Sequence, residues 1–312
     1  MTTVEPHRLT DVRPRPGSWR ASWVAYLSLM KLRVVELLLV TTLPAMVLAE
    51  RGVPPLGLVV VTLLAGTLAA GSAHAFNQVL ERDIDAVMRR THRRPVPTAV
   101  VSPAAGALFA GVLLVAAVLL MLAFVNPLAA ALTVAANVFY VVVYTVLLKR
   151  RTSQNIVWGG VAGCLPTLIG WAAVTGSLAL EPVLLFLIVF FWTPPHYWPL
   201  AMRFRDDYAR AGIPMLPVVA PPATVARQIL AYSWAMVATT LVLWQVADLG
   251  WLYGVLAILA GGWFLAEAQR LYRRAKHDAS GAELRAMRLF HGSITYLTIV
   301  FAAVALDVLI LT

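Results

Sequence analysis

Apolar runs of about twenty residues recur along almost the whole chain, and nothing else in it restricts the fold as strongly. Wound as a helix, a run of that length matches the hydrocarbon core of a bilayer, about 30 Å thick. In lipid the backbone must satisfy its own hydrogen bonds, so runs of this kind span as helices. Nine spans are predicted, over roughly 33–49, 56–78, 103–124, 127–147, 155–175, 182–200, 227–246, 250–268 and 291–311. The expected fold class is all-α: a polytopic membrane protein of nine transmembrane helices. Two loops, one after span 2 and one after span 6, share an acidic and basic cluster followed by two prolines. They suggest two four-helix halves plus a C-terminal helix around a central cavity.

A formal charge of +10 would suit nucleic acid on a soluble module, but 60% of the residues are apolar and the bases stand between spans. Nucleic acid is therefore excluded as a partner, and membrane lipid is the expected surrounding. With a cytoplasmic N-terminus, every Lys and Arg except Arg51 falls in the N-terminal segment or at the cytoplasmic connections. That asymmetry predicts a bacterial-type cytoplasmic membrane, with the N-terminus inside and the C-terminal Thr312 outside. Residues 1–27 read as a polar, basic tail without a signal peptide, and 28–312 as a single intramembrane domain. The lone Cys164 lies in an apolar run, which excludes a disulfide framework and fits packing.

The stretch Asn77–Pro97, NQVLERDIDAVMRRTHRRPVP, breaks the apolar pattern. Asn77, Glu81 and Asp85 recur at every fourth position, which places them on one helix face, with Asp83 roughly opposite Glu81. Such oxygen donors suit a hard cation like Mg²⁺ that bridges to phosphate. Arg89, Arg90, Arg93 and Arg94 follow, and the arginine fork suits phosphate oxygens. Charged residues at a helix end are more often only a solvated juxtamembrane face. The register of the acids and the Arg-Pro ending favour a diphosphate site.

Other residues add to that reading. Asp206 and Asp207 form a second acidic group, of which Asp207 is expected to face the first. Lys149, Arg150 and Arg151 fill a short loop where Lys149 and Arg150 are candidates to neutralise a leaving group. His74, His196 and His291 lie in or at the ends of spans, where ionisable residues are functional candidates. His196 stands in Trp192-Thr-Pro-Pro-His-Tyr-Trp198, whose rings fit either an interface belt or the walls of an apolar site.

These residues together resemble the UbiA-type intramembrane prenyltransferases, and within them the heme-farnesylating branch, the heme O synthases. The first motif carries the likeness, joined by Tyr144-Thr-Val-Leu-Leu-Lys-Arg-Arg-Thr152, Asn155-Ile-Val-Trp-Gly-Gly160, Gly170-Trp-Ala-Ala-Val-Thr-Gly176 and Thr193-Pro-Pro-His196. Asp207-Tyr-Ala-Arg-Ala-Gly-Ile-Pro-Met-Leu-Pro217 completes it. The resemblance implies Mg²⁺ on Asn77, Glu81, Asp85 and Asp207, and farnesyl diphosphate and heme B as substrates. It implies Arg90, Arg94, Lys149 and Arg150 as countercharge to diphosphate, Tyr144 in the binding site, and His196 and His291 orienting heme. A heme A synthase or oxidase assembly proteins are the implied protein partners. The family's second Asp-x-x-x-Asp pattern is replaced here by Phe204 and Tyr208 beside Asp207, and its Lys-Pro-Arg by Lys31-Leu-Arg33. The competing readings are a quinone-pathway prenyltransferase, which needs that missing second pattern, and a transporter, whose acids would line a transmembrane path.

Overall fold

The computed structural model describes residues 19–277 and 281–311, with 19–22, 32–39 and 311 by backbone alone. Among these residues there is no strand. A short helix α1 (Trp19–Leu29) precedes α2 (Leu32–Glu50) and α3 (Leu56–Leu80). The six-residue α4 (Arg82–Val87) leads through a folded loop to α5 (Pro103–Phe124) and α6 (Pro127–Val138). A π-helical segment, Phe139–Leu148, continues α6. Then come α7 (Asn155–Gly159), α8 (Val161–Thr175) and α9 (Leu180–Arg203). The short α10 (Arg205–Arg210) and α11 (Leu216–Val219) precede α12 (Pro222–Val246), α13 (Trp251–Lys276) and α14 (Ala286–Leu311).

Eight segments among the described residues are long and apolar enough to cross a membrane; in α2 the described apolar stretch, Val40–Glu50, is shorter. The side chains of Arg33 and Glu36, at the start of the first expected span, lie outside the described side chains, and Thr312 and the tail 1–18 lie outside the described residues. The helix starts follow local chemistry. Ser102 and Asn126 accept from the backbone N–H of Ala105 and Ala129, with Pro103 and Pro127 at the first helical position. Both are standard caps.

The helices close on one another in a ring. α3 packs on α5 and α2, α6 on α8, α8 on α2 and α9, and α9 on α12. α14 contacts α13, α9 and α2, so the last helix is wedged into the bundle. Its buried Asp307 accepts from the N–H of Gly250 (2.5 Å) and Tyr253 (2.9 Å), capping α13. A carboxylate this deep is tolerable because it meets a helix N-terminus whose donors are otherwise free. Arg51, the C-cap of α2, donates to the carbonyl of Ala247 at the C-terminal end of α12 (2.6 Å).

Candidate active site

The first motif is the point where a span stops being straight. Helix α3 ends at Glu81 (φ −101°, ψ 15°), and α4 starts anew from it. The hydrogen-bond register survives the bend: Glu81 N–H donates to Asn77 O (2.9 Å) and Asp85 N–H to Glu81 O (2.8 Å). Asn77, Glu81 and Asp85 are all buried, at 1–2% exposure. Asp83 is exposed, as its position on the helix wheel predicts.

Each buried oxygen donor meets a cation from a different part of the chain. Lys149 Nζ lies 2.6 Å from Glu81 Oε2. Arg94 Nη1 sits 2.7 Å from both oxygens of Asp85. Lys31 Nζ reaches Asn77 Oδ1 at 3.4 Å, and Asn77 Nδ2 donates to Thr145 Oγ1 at 3.2 Å. The loop makes the Arg94 contact possible by turning back on itself, with Thr91 Oγ1 donating to Asp85 O (3.1 Å). Glu81 Oε1 is buried and has no hydrogen-bond partner among the described residues.

Lys31 is a site residue that the sequence reading passed over as a helix start. It stands between α1 and α2 in the left-handed region (φ 50°), a conformation a side-chain-bearing residue seldom takes. Burial first, then repulsion from Arg94 and Lys149, lowers its pKa to about 7, against the pull of Glu81 and Asp85. The signal in the sequence is a basic residue just before a span, at the N-cap of α2. Helix α1 is fixed there because Gln78 Nε2 donates to Leu29 O (2.9 Å).

Arg150 goes elsewhere. Its guanidinium forms a two-pronged pair with exposed Asp83, at 2.8 Å on each arm. That contact holds the Asp83 carboxyl below the usual range and raises Arg150. Adjacent bases on a helical end point about 100° apart, so Lys149 takes the inward acid and Arg150 the outward one.

The second loop packs on the first through a buried apolar cluster of Ile84, Met88, Ile156, Ala201, Tyr208, Ile213 and Met215. Asp207 is buried on α10 and pairs with Arg210 of the same helix. Tyr208 is the residue whose hydroxyl feels the first motif: burial raises its pKa, and Arg90, Glu81 and Arg94 act on it through space. Arg90 also lies over the ring of Phe204, 5.8 Å from its centroid. Where the resemblance would place two carboxylates, Phe204 thus offers a ring face to Arg90 and Tyr208 a buried hydroxyl within reach of its charge.

Beneath the charged cluster lies an apolar cavity of about 200 Å³ within the bundle. It is lined by His74 of α3, Asn137, Tyr140 and Tyr144 of α6 and its π-helical continuation, and Trp192 and Tyr197 of α9, among others. The wider π-helical turn sets Tyr140 and Tyr144 side by side, centroids 5.4 Å apart, with His74 edge-on to Tyr140. Such segments often mark functional sites. Gly159 keeps Tyr144 there, since a Cβ at that position would fall 2.1 Å from its ring. Lys149 Nζ lies 5.8 Å above the same ring, so the charged cluster and the cavity share a wall. His196 is half-buried between α9 and α14; His291 is exposed on α14.

The UbiA prenyltransferase family profile matches residues 38–294. The chain is 57% identical over 286 residues to a protoheme IX farnesyltransferase of Nocardioides sp., an overlap of 92% of this chain and 91% of the relative. To a protoheme IX farnesyltransferase of Streptomyces coelicolor it is 54% identical over 311 residues, covering 98% and 99%. Among solved structures, a digeranylgeranylglyceryl phosphate synthase superposes with TM-score 0.76 at 15% identity, covering 92% of this chain and 99% of that one. A UbiA homolog from Archaeoglobus fulgidus bound to DMAPP and Mg²⁺ gives TM-score 0.66 at 19% identity, covering 90% and 99%. The structural likeness shows the fold alone.

Proposed function

Because the chain belongs to the UbiA prenyltransferase family, we propose that it transfers the farnesyl group of farnesyl diphosphate to a vinyl group of heme B, with addition of water, giving heme O and diphosphate. The observation that carries this reading is the stack of buried acid–cation pairs, Glu81–Lys149 and Asp85–Arg94, directly over an apolar cavity. A prenyl diphosphate has the same polarity: an anionic head and an apolar tail. Near-full-length identity to protoheme IX farnesyltransferases supports heme B as the acceptor.

The donor set fits Mg²⁺. Glu81 Oε1 is a buried carboxylate oxygen without a partner, and Asn77 and Asp85 add hard oxygens one turn to either side. Among the described residues no three His, Cys, Asp or Glu side chains converge closely enough to hold a metal by themselves. Mg²⁺ commonly takes one or two carboxylates and completes its shell with water and phosphate. Asn77, Glu81 and Asp85 would hold it, and when bound it takes up negative charge as the C–O bond breaks.

The remaining work falls to the chain. Lys31, Lys149 and Arg94 hold the diphosphate head and, in a site shielded from water, stabilise the electron pair it carries away. Tyr140, Tyr144 and Trp192 line the path of the farnesyl chain, their ring faces suited to an allylic cation. The heme vinyl group supplies the electrons for the new C–C bond to C1. Water then adds to the resulting cation beside the porphyrin and loses a proton. Arg150 serves at one remove, holding Asp83 at the rim. Asp207 keeps α10 in place against the site through Arg210.

In this reading α2 is a ninth span, the charged loops and the N-terminus face the cytoplasm, and Thr312 faces outward. The one base on the outer side, Arg51, is tied to the end of α12, which supports the orientation. The lipophilic product passes within the membrane to a heme A synthase or oxidase assembly proteins. The test is incubation of the purified chain with farnesyl diphosphate, heme B and Mg²⁺, followed by mass analysis of the heme. A heme gaining one farnesyl group and one water is expected, and heme B recovered unchanged would defeat the reading.

A further inference from the structure

The diphosphate chemistry leaves His196 unused, together with its neighbours Phe290 and Ser293 where α9 meets α14. The His196 ring lies between Trp192, centroid 4.1 Å away and 17° from parallel, and Phe290, at 4.6 Å and 28°. Trp192 is held in turn by its Nε1–H, which donates to the carbonyl of Ser293 at 2.7 Å. The Oγ of that serine is 2.8 Å from His196 Nδ1. Two residues thus clamp the ring, and one serine positions both the ring and the clamp.

The serine also settles where the imidazole proton is. A serine hydroxyl has a single proton. Ser293 directs it to the carbonyl of Phe290 at 2.6 Å. Its oxygen must therefore accept from His196 Nδ1–H, which leaves Nε2 with its lone pair. Among the described residues Nε2 has no hydrogen-bond partner. A neutral imidazole with one N–H engaged and the other nitrogen open is the form that ligates metals. His291 is built differently: it is exposed, and among the described residues its ring stacks on neither face, meeting Phe290 edge-on at 5.2 Å.

The surroundings match a metalloporphyrin. On α9, Trp192, Thr193 and Tyr197 line the cavity assigned to the farnesyl chain. The same α9–α14 seam leads to a second cavity of about 840 Å³, lined by three arginines, Arg203, Arg205 and Arg285, with one carboxylate, Asp206, and Met287 among the rest. Arg203 is seven residues past His196, about 10 Å along the helix. A heme with iron at His196 and its propionate edge turned that way would set two carboxylates among arginines, and its vinyl edge toward the farnesyl cavity.

We propose that His196 is the axial ligand that holds the heme substrate, Nε2 to iron, in the α9–α14 seam with the propionates toward Arg203 and Arg285. This rests on the reading that heme B is the acceptor. The experiment is titration of the full-length chain, in lipid nanodiscs and without farnesyl diphosphate, with heme B followed by absorption and resonance Raman spectroscopy. Wild type should show imidazole-ligated iron. His196→Ala should bind heme B at least tenfold more weakly and lose that signature, and added imidazole should restore it. Restoration, together with retained binding of farnesyl diphosphate, shows that the variant is folded. Ser293→Ala should keep the ligand but weaken affinity about tenfold or more and shift the iron–imidazole vibration, as loss of a supporting hydrogen bond does. His291→Ala should leave the spectrum unchanged. Heme B dimethyl ester should not distinguish wild type from an Arg203→Ala/Arg285→Ala double variant, whereas heme B should. A wild-type spectrum in His196→Ala, or its loss in His291→Ala, overturns the assignment while leaving heme as substrate. A wild-type chain that binds farnesyl diphosphate but not heme B overturns the substrate reading and this assignment with it.

Discussion

Replacing Lys149 by Met separates what its ion pair does for the fold from what it does for the reaction. Lys149 and Glu81 are 15% and 2% exposed, with 2.6 Å between the charged atoms. At an effective dielectric of about 20 that separation corresponds to about 6 kcal/mol of attraction, much of it offset by the desolvation of both groups. Methionine follows the lysine stem but strands the Glu81 carboxylate, at a cost of about 3–5 kcal/mol. For a chain of this size that is a fall in melting temperature on the order of 10 °C. A Glu81→Gln/Lys149→Met double variant removes both charges and should recover at least half of the loss, a coupling of about 2 kcal/mol. Turnover should behave otherwise. The single variant should lose about 10²–10³-fold in kcat, the scale of a missing stabiliser of developing charge, and the double variant should lose at least as much. Thermal unfolding in micelles gives the first quantity, and chromatographic yield of farnesylated heme gives the second. Recovery of turnover in the double variant would show that the pair acts only on the fold. A Lys149→Met chain that melts and turns over like wild type would refute the whole construction.

Five further outcomes follow from the site geometry and the loop charges. Asp85→Ala, which removes a buried donor and frees Arg94, should lower turnover by about 10³-fold or more. Asp83→Asn and Arg150→Ala, which break an exposed pair, should each change it by only about threefold; a large Arg150 effect would return that residue to the site. Lys31, with its pKa lowered to about 7, carries its charge below that pH and loses it above. The KM for farnesyl diphosphate should therefore rise above pH 7, by up to about tenfold per pH unit. Lys31→Arg, always charged, should flatten the profile, and an unchanged slope would remove Lys31 from the diphosphate site. Chelation should stop turnover, and Mg²⁺ should restore it without altering heme B binding. A cytoplasm-dependent reporter fused after Thr312 should be silent and one placed after Arg94 active; the reverse would invert the orientation.

Eight of the nine expected spans were legible because hydropathy reports the hydrocarbon layer, and helix ends were not because helices outlast it. Helix α13 runs to Lys276 and α14 begins at Ala286, beyond the expected limits near 268 and 291. The extra turns carry charged side chains that reach partners rather than lipid: Glu267 pairs with Arg270 and Arg288, and Arg274 donates to Leu284 O. Within the site, the spacing of Asn77, Glu81 and Asp85 was enough to show a shared face. The bend at Glu81 and the π-helical turn before Lys149 were invisible because both depend on tertiary packing. The division between Lys149 and Arg150 could have been found. Two adjacent bases diverge as Glu81 and Asp83 do, and each pairs with the acid on its own side.

The facing half is where sequence and structure together say more than either alone. Phe204 and Tyr208 stand four residues apart, at the spacing of the absent carboxylates; the Phe204 ring lies under Arg90, and the Tyr208 hydroxyl feels the same charge through space. Aromatic residues at that spacing read as packing in the sequence. In the structure they meet the arginine of the first motif, while the neighbouring Asp207 is answered by Arg210. Tyr208 is no surrogate for a carboxylate, because burial raises its pKa and keeps the hydroxyl protonated. A neutral hydroxyl near Arg90 and Arg94 can donate to a diphosphate oxygen, and it is a far weaker metal ligand than an anion would be. On the proposed function the carboxylate donors for a cation would thereby be concentrated on the α3–α4 side, and the opposite wall would meet the same substrate head with a hydroxyl and a ring-supported arginine.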